Sequence, residues 1–260
     1  MANLKHPLFS IITVVFNGKK LLPGTAESVR QQTFGNCEYL IIDGASKDGT
    51  IDFIRELETS MPNLRWISEK DHGLYDAMNK GLRLAKGDFV LFLNAGDHLH
   101  APETLEKLAA LVTPETGVLY GETQLVDENR QNAGSMSELS TRKLPQQLSW
   151  KDYHGGMLVV HQSFVARRSL APQYRTDNLC ADFEWCIEIL KKSRENRYAG
   201  IIISDYLMGG MSKQRHQQSL IDRFKIMKKH YGLLPTVGSH VKIVFRAIKH
   251  HLMRLGKKSY

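Results

Sequence analysis

Phe89-Val-Leu-Phe-Leu93 is an apolar run with no polar position on either side, and it leads through Asn94-Ala-Gly to Asp97. A strand of that kind has no wet face, so it belongs inside a parallel sheet covered by helices on both sides. In such sheets ligands bind beyond the carboxyl ends of the strands, where Asp97 stands. The preceding sequence has the same grammar. Phe9-Ser-Ile-Ile-Thr-Val-Val-Phe16 and Glu38-Tyr-Leu-Ile-Ile42 are buried-strand runs, and the second ends at Asp43-Gly44. Leu64-Arg-Trp-Ile-Ser68 is a third. Helical spacing fills the gaps over 21–32, from the Ser46-Lys-Asp-Gly-Thr50 cap to 58, and over 74–85, where Lys86-Gly87 gives a stop. Strand and helix alternate, which predicts an α/β fold with a mostly parallel sheet.

The pattern changes after Thr113. Val118-Leu-Tyr-Gly121 and 123–126 predict two short strands, and 127–150 is polar and weakly patterned, which predicts a mobile surface segment. Leu158-Val-Val-His-Gln-Ser-Phe-Val165 and Ile201-Ile-Ile-Ser204 predict strands, with a helix over 183–192 between them. The last stretch, 236–255, is amphipathic, with Val237, Val241, Val244, Ile248, Leu252 and Leu255 at helical steps and Lys242, Arg246, Lys249 and Arg254 between them.

A chain of 260 residues accommodates one large α/β domain or two small ones. Three cysteines without C-x-x-C spacing provide neither a disulfide framework nor a zinc motif, which favours a reducing compartment. The N-terminus lacks a signal-peptide pattern. No apolar run reaches the ~18 residues of a membrane span. Charge is uneven. From Lys213 onward there are twelve Lys or Arg and one acid, Asp222, so the tail carries +11 of a net +8 and residues 1–212 sum to −3. Nucleic acid and anionic lipid are the two partner classes for such a tail. Aromatic residues are sparse among these charges, which argues against nucleic acid.

Each candidate site residue has a structural reading beside the functional one. Asp43 ends a strand and can accept the imide N–H of a uracil-type base, or it can cap the next helix. Asp48 fits a helix start. Asp71 and Asp76 can cap the helix after Gly73 or reach substrate, and Lys80 fits a solvated face. Asp97 can hold a divalent cation against a diphosphate; hard oxygen ligands suit Mg²⁺ or Mn²⁺. His98 and His100 are either additional ligands or loop residues. Asp182 can take a proton from an attacking hydroxyl, or favour a helix N-terminus electrostatically; Glu184 is the rival base. His161 and Gln162 face either the core or the acceptor.

Taken together, Ser10-Ile-Ile-Thr-Val-Val-Phe-Asn17, Ile41-Ile-Asp-Gly-Ala-Ser-Lys-Asp-Gly-Thr50, Glu69-Lys-Asp-His-Gly-Leu-Tyr-Asp-Ala-Met-Asn-Lys-Gly81, Leu93-Asn-Ala-Gly-Asp97, His161-Gln162, Ala181-Asp182 and Gly209-Gly-Met-Ser212 occur in order. The chain thereby resembles the family 2 inverting glycosyltransferases of GT-A (Rossmann-like) fold, and within them bacterial exopolysaccharide transferases of the colanic-acid type. The resemblance covers roughly residues 8–212. It implies a transferase domain over 1–212, with a donor half at about 8–112 and an acceptor half at about 113–212; the basic helical tail over 213–260 lies outside the resemblance and is read from its charge and spacing. It implies donor contacts from Val14, Phe16, Asn17, Asp43, Asp71, Gly73, Asn79, Asn94 and Gly96. It further implies a metal at Asp97, Asp182 as catalytic base, and acceptor contacts from His161, Gln162 and Glu184. The implied substrates are a UDP- or GDP-linked sugar and a saccharide or lipid-linked saccharide. The expected place is the cytoplasm, with the amphipathic basic tail either peripheral on the inner face of the membrane or docked on the catalytic domain with its charges solvated. Two positions depart from the family pattern. Asn94-Ala-Gly-Asp97 stands for Asp-x-Asp-Asp, leaving one carboxylate, and Asp43-Gly44 stands for a frequent Asp-Asp pair. The competing readings are a sugar nucleotidyltransferase, which lacks its Gly-rich phosphate loop here, and an inactive homologue acting as a binding protein. A dinucleotide-binding dehydrogenase would need a G-x-G-x-x-G after the first strand, and none is present.

Overall fold

The computed structural model describes residues 6–140, 142–209 and 216–256; within the last stretch only the backbone is described at residues 216, 244 and 246–256. The expected stripe positions Val244, Ile248, Leu252 and Leu255 therefore lie outside the described side chains, as Gly210, Met211 and Ser212 lie outside the described residues.

The N-terminal part alternates as its apolar runs require: β1 (Phe9–Val15), α1 (Leu22–Arg30), β2 (Cys37–Asp43), α2 (Thr50–Ser60), β3 (Leu64–Ser68), α3 (Leu74–Leu84) and β4 (Phe89–Phe92). β1 pairs in parallel with β2 and β4, and β2 with β3. Every residue of β1, β2 and β4 is buried, consistent with runs that carry no wet face. The register sets Val15 beside Asp43 and Ile12 beside Phe92, so the three strands end on one rim.

Beyond β4 come β5 (His98–Leu99), α4 (Thr104–Ala109), β6 (Thr116–Val126), β7 (Asn132–Ser135), α5 (Met136–Ser140), β8 (Phe164–Arg167), α6 (Ala181–Lys192), β9 (Glu195–Leu207), α7 (His216–Tyr231) and α8 (Leu233–Gly256). The sheet order is β3-β2-β1-β4-β8-β6-β9-β5, with β7 on β6. β8 runs antiparallel to both β4 and β6, while β6 and β9 are parallel. Cores form on both faces. Ile11, Tyr39, Leu22, Ile54 and Leu105 build one with α1, α2 and α4. Phe92, Tyr174, Trp185 and Phe164 build the other with α3 and α6.

Three sequence expectations are corrected. The strands expected at 118–121 and 123–126 are one strand, β6, because register shifts against β9 on either side of Gly121 absorb the irregularity without ending the pairing. The polar segment 127–150 is not featureless: β7 returns on β6 as a hairpin, and α5 follows. The strand expected over 158–165 begins only at Phe164. His161–Ser163 form a 3-10 turn, which lifts His161 and Gln162 off the sheet.

Candidate functional site

The rim of the sheet carries two polar groups. The first surrounds Asp43. This carboxylate is fully buried; its Oδ2 accepts the Ser46 N–H at 3.0 Å and the Ser68 hydroxyl at 2.7 Å, while Oδ1 is buried without a partner. A buried charged oxygen lacking a donor costs about 1–3 kcal/mol or more, which a ligand N–H would offset. The two strand ends beside it turn into left-handed backbone at Asn17 and Ala45, a geometry that concentrates at ligand-holding loops. Phe16 stands 66% exposed next to this corner. A Cβ on Gly44 would lie 2.7 Å from Asp71 Oδ2 and 3.3 Å from the Phe16 ring, so only glycine lets Asp71 and Phe16 close in there. Asp71 is held by the Lys80 ammonium at 2.6 Å, which also binds Glu69 at 3.0 Å. Lys80 is therefore a buried strut of α3, not the solvated residue its helical position suggested.

The second group is assembled by packing. The aromatic core sets the Phe92 ring of β4 edge-on to Trp185 of α6 at 5.7 Å, and Trp185 stacks on Tyr174 at 4.9 Å. Asn94 follows Phe92 by two residues, and Asp182 precedes Trp185 by three, so this contact draws the strand end and the helix start together. The 3-10 turn supplies the link. His161 Nδ1 lies 3.2 Å from Asp182 Oδ2, and its Nε2 lies 3.2 Å from Asn94 Nδ2. In the tautomer that makes both bonds, Nδ1–H donates to the carboxylate and Nε2 accepts from the Asn94 amide. That leaves Asn94 Oδ1 buried and without a partner. Gln162 Nε2 donates to Asp97 Oδ2 at 2.9 Å, and the Leu207 N–H donates to Asp97 Oδ1 at 2.9 Å. Gln162 Oε1 is also buried without a partner.

The two carboxylates are tuned in opposite directions. Burial raises the Asp97 carboxyl to about 6, against the hydrogen bonds of Leu207 and Gln162. For Asp182 burial would also raise it, but His161, the Phe183 N–H and the Tyr75 hydroxyl hold it below its ordinary value. Asp182 is thus ionised at neutral pH, with Tyr75 Oη donating to its Oδ1 at 3.1 Å. Asp97 is a buried carboxylate with both oxygens taken by N–H donors, and in the same corner Asn94 Oδ1 and Gln162 Oε1 are buried without a partner. Oxygen donors of this kind would suit Mg²⁺ or Mn²⁺ once a cation displaced the Gln162 or Leu207 N–H from Asp97.

The structure thus gathers Phe16, Asp43 and Asp71 in one corner and Asn94, Asp97, His161, Gln162 and Asp182 in the other. Several expected contact residues do other work. Val14 packs in the core on the sheet face that also carries Ile12, covered by α3 and α6. Asn17 Oδ1 accepts the Lys47 N–H and stitches the loop after β2 to β1. Asn79 is buried with its amide bridging the Tyr174 backbone, at 2.6 Å to N and 2.9 Å to O. Gly73 caps α3 with φ +114, and Gly96 takes φ +103 in the turn before Asp97. Glu184 is two residues from Asp182, which puts it on another face of α6. There it binds Lys229 at 2.7 Å and His230 at 3.2 Å on α7, and these bonds bring its carboxyl down to about 2, against burial. It is a helix clamp and does not share the cleft with Asp182. His100 pairs with Asp205 at 2.6 Å, and Asp48 caps Thr50.

Sequence reading missed Tyr75, which reaches Asp182 from 107 positions away. It also missed Tyr206, whose phenol is raised first by burial and then by the charges of Asp97 and Asp182. The alternation of β9 carries a weak signal for Tyr206, since Ser204 on the same face meets Ser163 of the 3-10 turn at 2.8 Å.

Against known proteins, the model of the family described as Glycosyl transferase family 2 matches residues 10–173. The chain is 29% identical over 254 residues to a PGL/p-HBAD biosynthesis glycosyltransferase of Mycobacterium bovis, covering 93% of this chain and 94% of that one. Among solved structures it resembles S. aureus TarS 1–349 in complex with UDP-GlcNAc, with TM-score 0.66 and 18% identity over 85% of this chain; the chain spans 64% of that structure. It also resembles the mannosyltransferase PcManGT of Pyrobaculum calidifontis in complex with GDP-Man and Mn²⁺, with TM-score 0.67 and 17% identity, covering 92% of this chain and 70% of that one. These likenesses bear out the α/β sheet architecture expected from the strand runs.

Proposed function

The chain belongs to glycosyl transferase family 2, a family of enzymes, and on that premise we propose that it moves a sugar from a nucleoside-diphosphate sugar to a saccharide hydroxyl with inversion. The observation that carries this reading is the chain of contacts Asn94–His161–Asp182, which joins the donor-side strand end to an ionised carboxylate at a helix start. UDP-GlcNAc and GDP-Man in the neighbouring structures support a nucleotide-sugar donor here, UDP- or GDP-linked.

In this mechanism the free Oδ1 of Asp43 accepts the imide N–H of the base, with Phe16 flanking it. Asn94 Oδ1, left unpartnered because His161 takes the amide N–H, accepts a sugar or ribose hydroxyl. The acceptor hydroxyl approaches Asp182, which takes its proton as the oxygen attacks the anomeric carbon. The bond to the diphosphate breaks on the opposite side, so one displacement inverts the configuration with no covalent intermediate. Tyr75 and His161 keep the carboxylate aimed throughout, which is where their two hydrogen bonds contribute. A divalent cation, Mg²⁺ or Mn²⁺, would be held by Asp97 and would neutralise charge on the leaving diphosphate. The division into donor half, acceptor half and basic tail belongs to the same proposal. So does the place of action: bacterial surface polysaccharide assembly on a lipid-linked acceptor, peripheral at the inner membrane face. Among the described residues no helix is long and apolar enough to cross a membrane.

Calorimetry with UDP, GDP and their sugar conjugates, with and without Mn²⁺, tests the reading. Metal-enhanced binding of one nucleotide supports it and identifies the donor class. Binding of none would overturn the donor site at Asp43 and Asp97.

A further inference from the structure

The helix α8 is mounted with its apolar stripe outward. Thr236 and Ser239, polar and small, are buried against the body of the protein. Leu234, Val237, Val241 and Phe245, which recur at helical steps, are exposed, Leu234 to 84% and Phe245 to 69%. Nothing internal is wasted by this inversion, since Thr236 Oγ1 bonds the Gly232 carbonyl and His240 Nδ1 the Thr236 carbonyl. α7 adds to the same surface. Its Ile226 and Met227 are buried, while Leu220 and Ile221 are exposed on the side that also carries Phe224. Phe224, Val237, His240, Val241 and Phe245 line an apolar groove of about 340 Å³ between the two helices.

An exposed apolar face of this kind marks an interaction surface. Its charge identifies the occupant. Lys228, one turn on from Phe224, and Lys242, next to Val241, are exposed beside it, within a tail of twelve cations and one acid. Cations rimming an apolar stripe match an anionic lipid surface, with side chains entering the acyl boundary and ammonium groups at the headgroups. The sequence continues the spacing at Ile248, Leu252 and Leu255.

We infer that the outward face of α7 and α8 is a docking surface for an anionic bilayer and that it seats the Asp182 end of α6 beside the lipid. The coupling to α6 is direct. Asp222 of α7 accepts the Leu179 N–H at 3.1 Å, Ser219 meets Cys180 Sγ at 3.2 Å, and Glu184 clamps Lys229 and His230. Leu179 and Cys180 lead straight into Asp182. A lipid-anchored acceptor would then reach the base from the surface on which α7 lies. This last step rests on the transferase reading; the docking itself does not.

The test is sedimentation of the full chain with phosphatidylcholine vesicles, with and without phosphatidylglycerol. Two variants accompany it: L234S/V237S/V241S/F245S and K228E/K242E. The expected result is binding only to the anionic vesicles, weakened at least about ten-fold by either variant, with unchanged thermal midpoints because the altered side chains are exposed. Failure of the unaltered chain to sediment would overturn the inference, as would equal sedimentation of the apolar variant. A concentration-dependent dimer that the apolar variant abolishes, without vesicle binding, would assign the face to a second copy instead. Nucleotide calorimetry on the same samples separates the readings: absent nucleotide binding with intact sedimentation would remove the transferase step alone.

Discussion

The Asp43 corner and the Asp182 corner sit on one sheet yet are built in opposite ways. At Asp43 the protein supplies donors to one oxygen and leaves the other buried and bare. In the second corner the amides of Asn94 and Gln162 likewise keep a buried oxygen without a partner. Asp182, by contrast, has both oxygens bonded, one by Tyr75 and one by His161, with the Phe183 N–H adding a third contact. An incomplete hydrogen-bond set is a demand for a polar ligand; a complete one fixes a group in place for chemistry. Asp43 and Asp182 therefore divide binding from catalysis, and substitutions separate them.

Asp182→Asn has the largest expected effect. Transfer falls about 10²–10⁴-fold in kcat while nucleotide affinity by calorimetry stays within a few-fold. Equal losses in both would break the division. Asp43→Asn acts the other way, weakening nucleotide binding by about 10–100-fold, the worth of a charged hydrogen bond, with kcat largely kept at saturating donor.

His161→Asn sharpens the comparison, because His161 joins the unsatisfied amide of Asn94 to Asp182. Its hydrogen bond is the largest influence holding Asp182 down, so without it burial lifts the folded pKa. A higher pKa keeps the base protonated to higher pH, and the acid limb of the kcat/KM profile moves upward. An unmoved limb together with a loss in kcat would assign His161 a purely packing role. Glu184→Gln has the smallest expected effect, about 1 kcal/mol of stability at neutral pH. Glu184 is depressed from 4.5 to about 2 by His230 and then Lys229, against burial. Its stabilisation is present above about 4.5 and is lost as pH falls towards about 2, so the melting curves of the two proteins converge over that window.

The separation also governs what could be read from sequence. The parallel half was legible because β1, β2 and β4 are short runs buried on both faces, and the strand-end carboxylates Asp43 and Asp97 follow them directly. Such signals are local: periodicity and a polar stop within ten residues. Glu184 shows the limit. Its sequence neighbourhood makes it a rival to Asp182, but a two-residue offset on a helix turns it to α7, and only packing reveals Lys229 and His230 there. Asn79 was likewise a plausible ligand in its motif, until folding placed the Tyr174 backbone against its amide.

The sequence by itself determined the strand–helix alternation, the acidic strand ends, the amphipathic basic tail and the motifs that carry the family. These depend on residues close along the chain. Tertiary structure alone decided that Phe92 meets Trp185, that Tyr75 and His161 hold Asp182, and that α8 faces its apolar stripe outward. Helical spacing states that a face is apolar but not which side the protein lies on. That choice is made by contacts between segments far apart in the chain, where buried Thr236 and Ser239 face inward and Val241 and Phe245 do not.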